Sequence, residues 1–208
     1  MSDYLTDEEQ LAKLRSWWES NGLLMIAAVV IAVIGVVGWR WYADTSAEKT
    51  ARASDLYADF LIAEGPSRQT ILDTLASELP DTTYYTFAIL QEARERIAEE
   101  DFPAAEDALR RALATKPERV VADLIRLRLG RLLQQMDRGD DALTIIAEVR
   151  SAGFRPQVAE LKGDIHLARG ERALAHEAYT AALVDLADGS QRPLLELKAA
   201  DTADPDDA

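Results

Sequence analysis

Hydrophobic and polar positions divide this chain into two regimes. From Gly22 to Gly38 no residue carries a charge; Trp39 extends the apolar run and Arg40 ends it. At ~1.5 Å per residue a helix of that length covers roughly 25–27 Å, close to the ~30 Å hydrocarbon core of a bilayer. Trp17 and Trp18 flank one end, and Trp39, Trp41 and Tyr42 flank the other. Amphipathic rings favour the headgroup level, so the pattern reads as a double aromatic belt around a transmembrane helix over 22–42. A cleavable export signal fits less well. The preceding segment is acidic, with Asp3, Asp7, Glu8, Glu9 and Glu19 against Lys13 and Arg15. The bulky Trp39-Arg40-Trp41-Tyr42 cluster stands where small residues should precede a cleavage site, and Thr45-Ser46-Ala47 comes late for one. Within the span, Ala28, Ala32 and Gly35 fall on roughly one face, a candidate contact surface for another membrane helix. The general abundance of Ala and Gly in membrane helices explains the same stripe. Lys13 and Arg15 on one flank against Arg40, Lys49 and Arg52 on the other leave the orientation open.

Upstream, residues 1–21 form a short segment. Thr6-Asp7-Glu8-Glu9 has the form of a capping box, and Leu11, Leu14 and Trp18 follow at helical spacing. The expectation is a short amphipathic helix that runs into the membrane.

Beyond Tyr42 the period is helical throughout, with almost no strand signals. Asp44 to Ala63 reads as a helix with Leu56, Phe60 and Ala63 on one side. Glu64-Gly65-Pro66-Ser67 breaks it, and Ser67 is a candidate cap for a second helix ending before Leu79-Pro80-Asp81. A repeat then emerges. Ala105, Ala142 and Ala175 are 37 and 33 residues apart, and Ala93, Gly130 and Gly163 keep the same two intervals. Two landmarks that shift together around a period of ~34 mark a tetratricopeptide-like array of helix pairs. Paired helices approach closely only where small residues face each other, with Leu109, Ile146 and Tyr179 expected to fill the space toward the next unit. Gly139 and Gly170 are placed as left-handed residues ending helices. After a break at Asp188-Gly189-Ser190-Gln191, Pro193 opens a final helix whose Leu194, Leu195 and Leu197 would cover the last repeat. The fold class is therefore all-α: one N-terminal transmembrane helix followed by a helical-repeat solenoid over 43–198. An acidic, disordered tail is expected over 199–208.

Composition narrows the chemistry. The net charge is −14, with 37 acidic and 23 basic side chains, which disfavours nucleic acid as a partner. The chain has no cysteine, which excludes disulfides and thiol catalysis. His166 and His176 are not accompanied by carboxylates at metal-ligand spacing, no Gly-rich phosphate loop is present, and no serine has the context of a strained nucleophile turn. No catalytic, cofactor or metal site is expected. What remains is a surface: first helices of such repeats line a concave groove that takes an extended peptide or a helix. Counted from the small landmarks, Phe87, Leu90, Arg94 and Ile97 of the first unit and Leu127, Arg131 and Gln134 of the second should face it. Arg94 and Arg131 would give a basic strip in an acidic domain.

Three stretches carry a more specific likeness. Asp7-Glu8-Glu9-Gln10, then Trp17-Trp18-Glu19-Ser20-Asn21-Gly22 opening the span, then Pro193-Leu194-Leu195-Glu196-Leu197-Lys198 closing the repeats resemble the proteobacterial YfgM family, ancillary subunits of the SecYEG translocon. The resemblance covers nearly the whole chain. It implies a cytoplasmic N-terminus, a single inner-membrane helix and a periplasmic repeat domain. It also implies association with the SecYEG translocon and with a membrane-anchored periplasmic chaperone of the prolyl-isomerase type, and a role in passing nascent secretory polypeptides to folding factors. The alternative is a membrane-anchored scaffold that uses the same groove for another cell-envelope complex.

Overall fold

The computed structural model describes residues 7–186 and 192–203, with the side chains of 7–9 left aside. The expected cap at Thr6 and break at Asp188–Gln191 lie outside the described residues. The chain forms two compact units, Met1–Arg52 and Ala53–Ala208.

The first unit is helix throughout its described part. The structure makes a single helix α1 (Asp7–Ile62) where the sequence reading placed three. The polar residues between those stretches do not interrupt it. Asn21 Nδ2 donates to the Trp17 carbonyl at 3.0 Å, Thr45 Oγ1 to that of Trp41 at 2.8 Å and Thr50 Oγ1 to that of Ser46 at 2.8 Å. Each side chain bonds back along its own helix instead of capping a new one. α1 is the one described helix long and apolar enough to cross a membrane, and only 6% of its most apolar stretch is buried. A core helix of a soluble domain would be covered, so the apolar face of this unit is open to its surroundings.

The second unit begins inside α1, whose last turns bury Ala53 and Phe60. α2 (Gly65–Glu78) follows, starting two residues before the expected cap: Glu64 occupies the N-cap position without a side-chain bond, and Pro66 sets the first turn. The repeats are then α3 (Thr83–Ala98) with α4 (Phe102–Ala114), α5 (Arg119–Gln135) with α6 (Gly139–Ile146), and α7 (Arg155–Ala168) with α8 (Arg172–Val184). A 3₁₀ turn (Ala152–Phe154) precedes α7, and α9 (Pro193–Thr202) closes the array.

Small residues set the pairing. Ala93, Ala105, Ala142 and Ala175 are fully or almost fully buried. A Cβ on Gly130 would collide with the Ile146 side chain, and one on Gly163 with the Tyr179 ring. Ile146 and Tyr179 therefore pack on the glycine of their own unit, and they also join the clusters that reach the next elements, Ile146 with Leu161 and Ile165 of α7 and Tyr179 with Leu195 and Ala199 of the closing helix. Each helix pair turns on one left-handed residue, at Glu100, Asp137 and Gly170. In each turn the following amide reaches back to close the helix: Asp101 N to Arg96 O, Arg138 N to Leu133 O and Glu171 N to His166 O, all at 2.9 Å. Gly139, expected in that role, is the first residue of α6, and Asp137 adopts the positive φ instead.

At the C-terminal end α9 buries Leu195, Ala199 and Thr202, at spacings of four and three, against Ala175, Tyr179 and Ala182. Leu194 and Leu197 are exposed, contrary to expectation, because they lie off that stripe. A polar clamp completes the contact. Tyr179 Oη donates to Asp164 Oδ1 at 2.8 Å, Lys198 Nζ reaches Asp164 at 2.7 Å and Glu160 at 3.1 Å, and Arg192 reaches Glu160 at 2.6 Å. The expected acidic tail thus starts inside α9, and its residues 204–208 lie outside the described residues.

Candidate protein-binding groove

α3 is the element around which the groove forms. Thr82 caps it, accepting from Tyr85 N at 3.4 Å while its own hydroxyl donates to Leu79 O at 2.8 Å. Ala88, Ile89 and Ala93 on one side are buried in the core. The adjoining stripe of Phe87, Leu90, Arg94 and Ile97 opens into a concavity of about 610 Å3 bounded by Tyr57 of α1, α3, and Leu124 and Arg128 of α5. Its floor is apolar and firm, since Leu90, Ala93 and Leu109 are buried. Its wall is aromatic: the Tyr57 ring lies 6.3 Å from that of Phe87, 5.9 Å from Tyr84 and 6.2 Å from Phe60. Phe87 is 37% and Ile97 36% exposed, so both present apolar surface to an occupant. Arg94 and Arg128 are exposed groove-lining cations.

Four of the seven residues expected here are brought together, all from α3. The three from α5 are not. Leu127 is 3% exposed and belongs to the core; Arg131 is exposed and Gln134 half-buried, both outside the groove lining. The difference is one of rotation. At ~100° per residue, Leu127 and Gln134 sit some 60–80° round α5 from Leu124, which puts Leu127 against the neighbouring helices. Leu124 and Arg128 face the groove instead. A signal for them existed, because Leu124 and Arg128 stand 37 residues after Phe87 and Gln91, the interval already read from the landmarks.

In the first unit, Ala28 and Ala32 are exposed, and a Cβ on Gly35 would meet open space. No described side chain of that unit covers the stripe.

Most arginines of the repeat unit are engaged with carboxylates. Arg111 Nη2 lies 2.8 Å from Glu92 across the α3–α4 pair, and Arg138 Nη1 2.6 Å from Glu106 across two repeats. Burial alone would raise the Glu106 pKa, but hydrogen bonds from Arg110 and Arg138 hold it below the usual carboxylate range. The histidines are also engaged: His166 Nδ1 lies 2.6 Å from Glu171 Oε2, and His176 Nδ1 2.9 Å from Ala199 O. Among the described residues no group of three or more His, Asp or Glu side chains is placed to hold a metal ion.

Comparison with known proteins agrees with this architecture. Residues 15–204 match the family model described as a tetratricopeptide repeat-like domain. A protein of Haemophilus influenzae named ancillary SecYEG translocon subunit is 31% identical over 86% of this chain and 89% of its own length. A protein of the same name from Aggregatibacter actinomycetemcomitans is 30% identical over the same shares, and one from Neisseria gonorrhoeae is 25% identical over 95% of this chain and 98% of its own length. No solved structure matches the chain significantly. The chain therefore belongs to the tetratricopeptide repeat-like family and, within it, to the YfgM family, whose curated members bear the name ancillary SecYEG translocon subunit.

Proposed function

We propose that this protein is a single-pass inner-membrane adaptor associated with the SecYEG translocon. Its N-terminus lies in the cytoplasm, α1 spans the bilayer, and the repeat domain faces the periplasm. There its groove engages a membrane-anchored chaperone of the prolyl-isomerase type or an emerging secretory polypeptide. What supports the assignment above all is end-to-end similarity to curated translocon subunits, covering the apolar helix as well as the repeats. The physical role needs no chemistry: a groove tethered beside the exit of a channel raises the effective concentration of its occupant near the emerging chain. The experiment is affinity purification of the full chain from gently solubilised inner membranes. SecY and its partners are expected to co-purify, and replacement of residues 1–42 by a neutral anchor is expected to abolish this. Absence of translocon subunits with the intact chain would refute the assignment.

A further inference from the structure

We propose that the groove between α1, α3 and α5 selects a segment of its partner protein in which bulky apolar side chains are flanked by carboxylates. This rests on the adaptor reading and specifies the chemistry of the occupant. Two observations carry it together. The first is shape: the concavity of about 610 Å3 has a buried apolar floor and an aromatic wall of Tyr57 and Phe87. That volume is within the ~300–1,000 Å3 range of pockets that enclose a small ligand, enough to anchor a few side chains.

The second is charge. The domain has carboxylates in excess, and about half of its arginines find them, on α3 and α5 among others: Arg68 pairs with Glu95 at 2.7 Å, Arg96 with Glu99 at 3.1 Å, Arg111 with Glu92 at 2.8 Å and Arg126 with Asp123 at 3.2 Å. Arg94 and Arg128 make no ion pair with any described residue. Glu95, next to Arg94 in the chain, is held by Arg68 and by Gln91 Nε2 at 3.1 Å. No described acidic residue lines the groove. Two guanidiniums left free over an apolar floor, in a chain of net charge −14, form a local field opposite to that of the whole. Guanidinium binds carboxylate bidentately, and does so best beside a surface that excludes water. A polyanion such as nucleic acid would be repelled by the net charge of −14 on the chain; a short segment with one or two carboxylates is repelled far less.

The test uses the full chain in nanodiscs and fluorescein-labelled synthetic peptides. Each has a Leu-Phe-Leu centre, flanked by Glu, by Gln or by Lys. Fluorescence anisotropy is expected to show the Glu peptide binding at least about tenfold tighter than the Lys peptide. The double reversal R94E/R128E, both exposed positions, should invert that order with an unchanged circular dichroism spectrum. Phe87→Ala should weaken the Glu and Gln peptides alike. Equal binding of the three peptides, or a preference that survives the double reversal, would overturn the proposal. So would a gain of more than about tenfold for the Glu peptide on removal of residues 204–208, which would give the groove to the chain's own acidic end. Co-purification with SecY reads the adaptor assignment separately. A chain that co-purifies but shows no charge preference refutes the groove chemistry alone; one that does not co-purify refutes the adaptor assignment.

Discussion

Glu100 and Asp137 hold positive φ values of 61° and 58°, a conformation that L residues with a Cβ adopt at a cost. Gly170 takes the same place in the third repeat at 76° without that cost. All three turns donate the same closing hydrogen bond, so the strain is imposed by the geometry of the pair and not by the residue. Glu100→Gly and Asp137→Gly are expected to stabilise the repeat domain by about 0.5–1 kcal/mol each, and Gly170→Ala to destabilise it by a similar amount. Urea unfolding followed by circular dichroism measures this; an equal and opposite result at Gly170 would show that the turn tolerates a Cβ. The left-handed positions themselves are 37 and 33 residues apart, in step with the alanines and glycines, so the period was legible at this scale. Which residue bends was legible at Gly170 and not at the other two turns. Gly139 attracts attention because glycine favours left-handed backbone, yet the Schellman-type bond selects the residue just after the helix, whatever it is.

At the scale of elements, Asp123 of α5 ties the loop after α6 to the second repeat. Its carboxylate is buried and accepts from Ser151 Oγ at 2.7 Å, Ser151 N at 2.8 Å, Arg150 N at 3.1 Å and Arg126 Nη1 at 3.2 Å. Burial would push its pKa up, but the hydrogen bonds from Ser151 and Arg150 and the Arg126 charge hold it below the ordinary aspartate value. A depressed carboxylate contributes stability above the unfolded-state pKa, and that contribution is lost as pH falls through the folded-state value. The domain is therefore expected to lose stability below about pH 4, the unfolded-state range for aspartate. Asp123→Asn should cost about 1–3 kcal/mol at neutral pH and flatten the acid limb. Thermal melts across pH 2.5–7 decide it: an acid limb as steep in the variant as in the parent would assign the effect to other carboxylates, Glu106 first. None of this was visible in the sequence, where Asp123 and Ser151 stand 28 residues apart with no pattern to join them. The same holds for the clamp on α9, where Lys198 meets Glu160 across 38 residues.

For the whole molecule, the apolar run of α1 governs where the repeats work. Val30 and Ile31 lie near its middle and are exposed. Val30→Arg with Ile31→Arg places two charges at the centre of the span, each costing about 2.5–3.5 kcal/mol on insertion scales. The parent chain is expected to stay with membranes through alkaline carbonate extraction, and the double variant to be lost from them in large part. Full retention of the variant would mean that α1 does not cross the bilayer. The helix continues through the polar residues on either side of the span for a simple reason. Ser, Thr and Asn mark a cap only when the backbone turns away, and here the backbone stays helical and their side chains bond the preceding turn.

The sequence by itself determined an apolar helix with aromatic rims, an all-helical chain behind it and a repeat interval kept by two landmarks. These are properties of local order along the chain: hydropathy, period and the positions of small residues are each written within a few tens of residues. Tertiary structure alone decided that α1 is one helix from Asp7 to Ile62, and that Leu124 and Arg128, not Leu127 and Arg131, close the groove with Tyr57. It also decided that Arg94 and Arg128 line that groove without a carboxylate beside them. Those outcomes depend on the rotation of one helix against the next and on partners far apart in sequence, and a one-dimensional pattern holds neither.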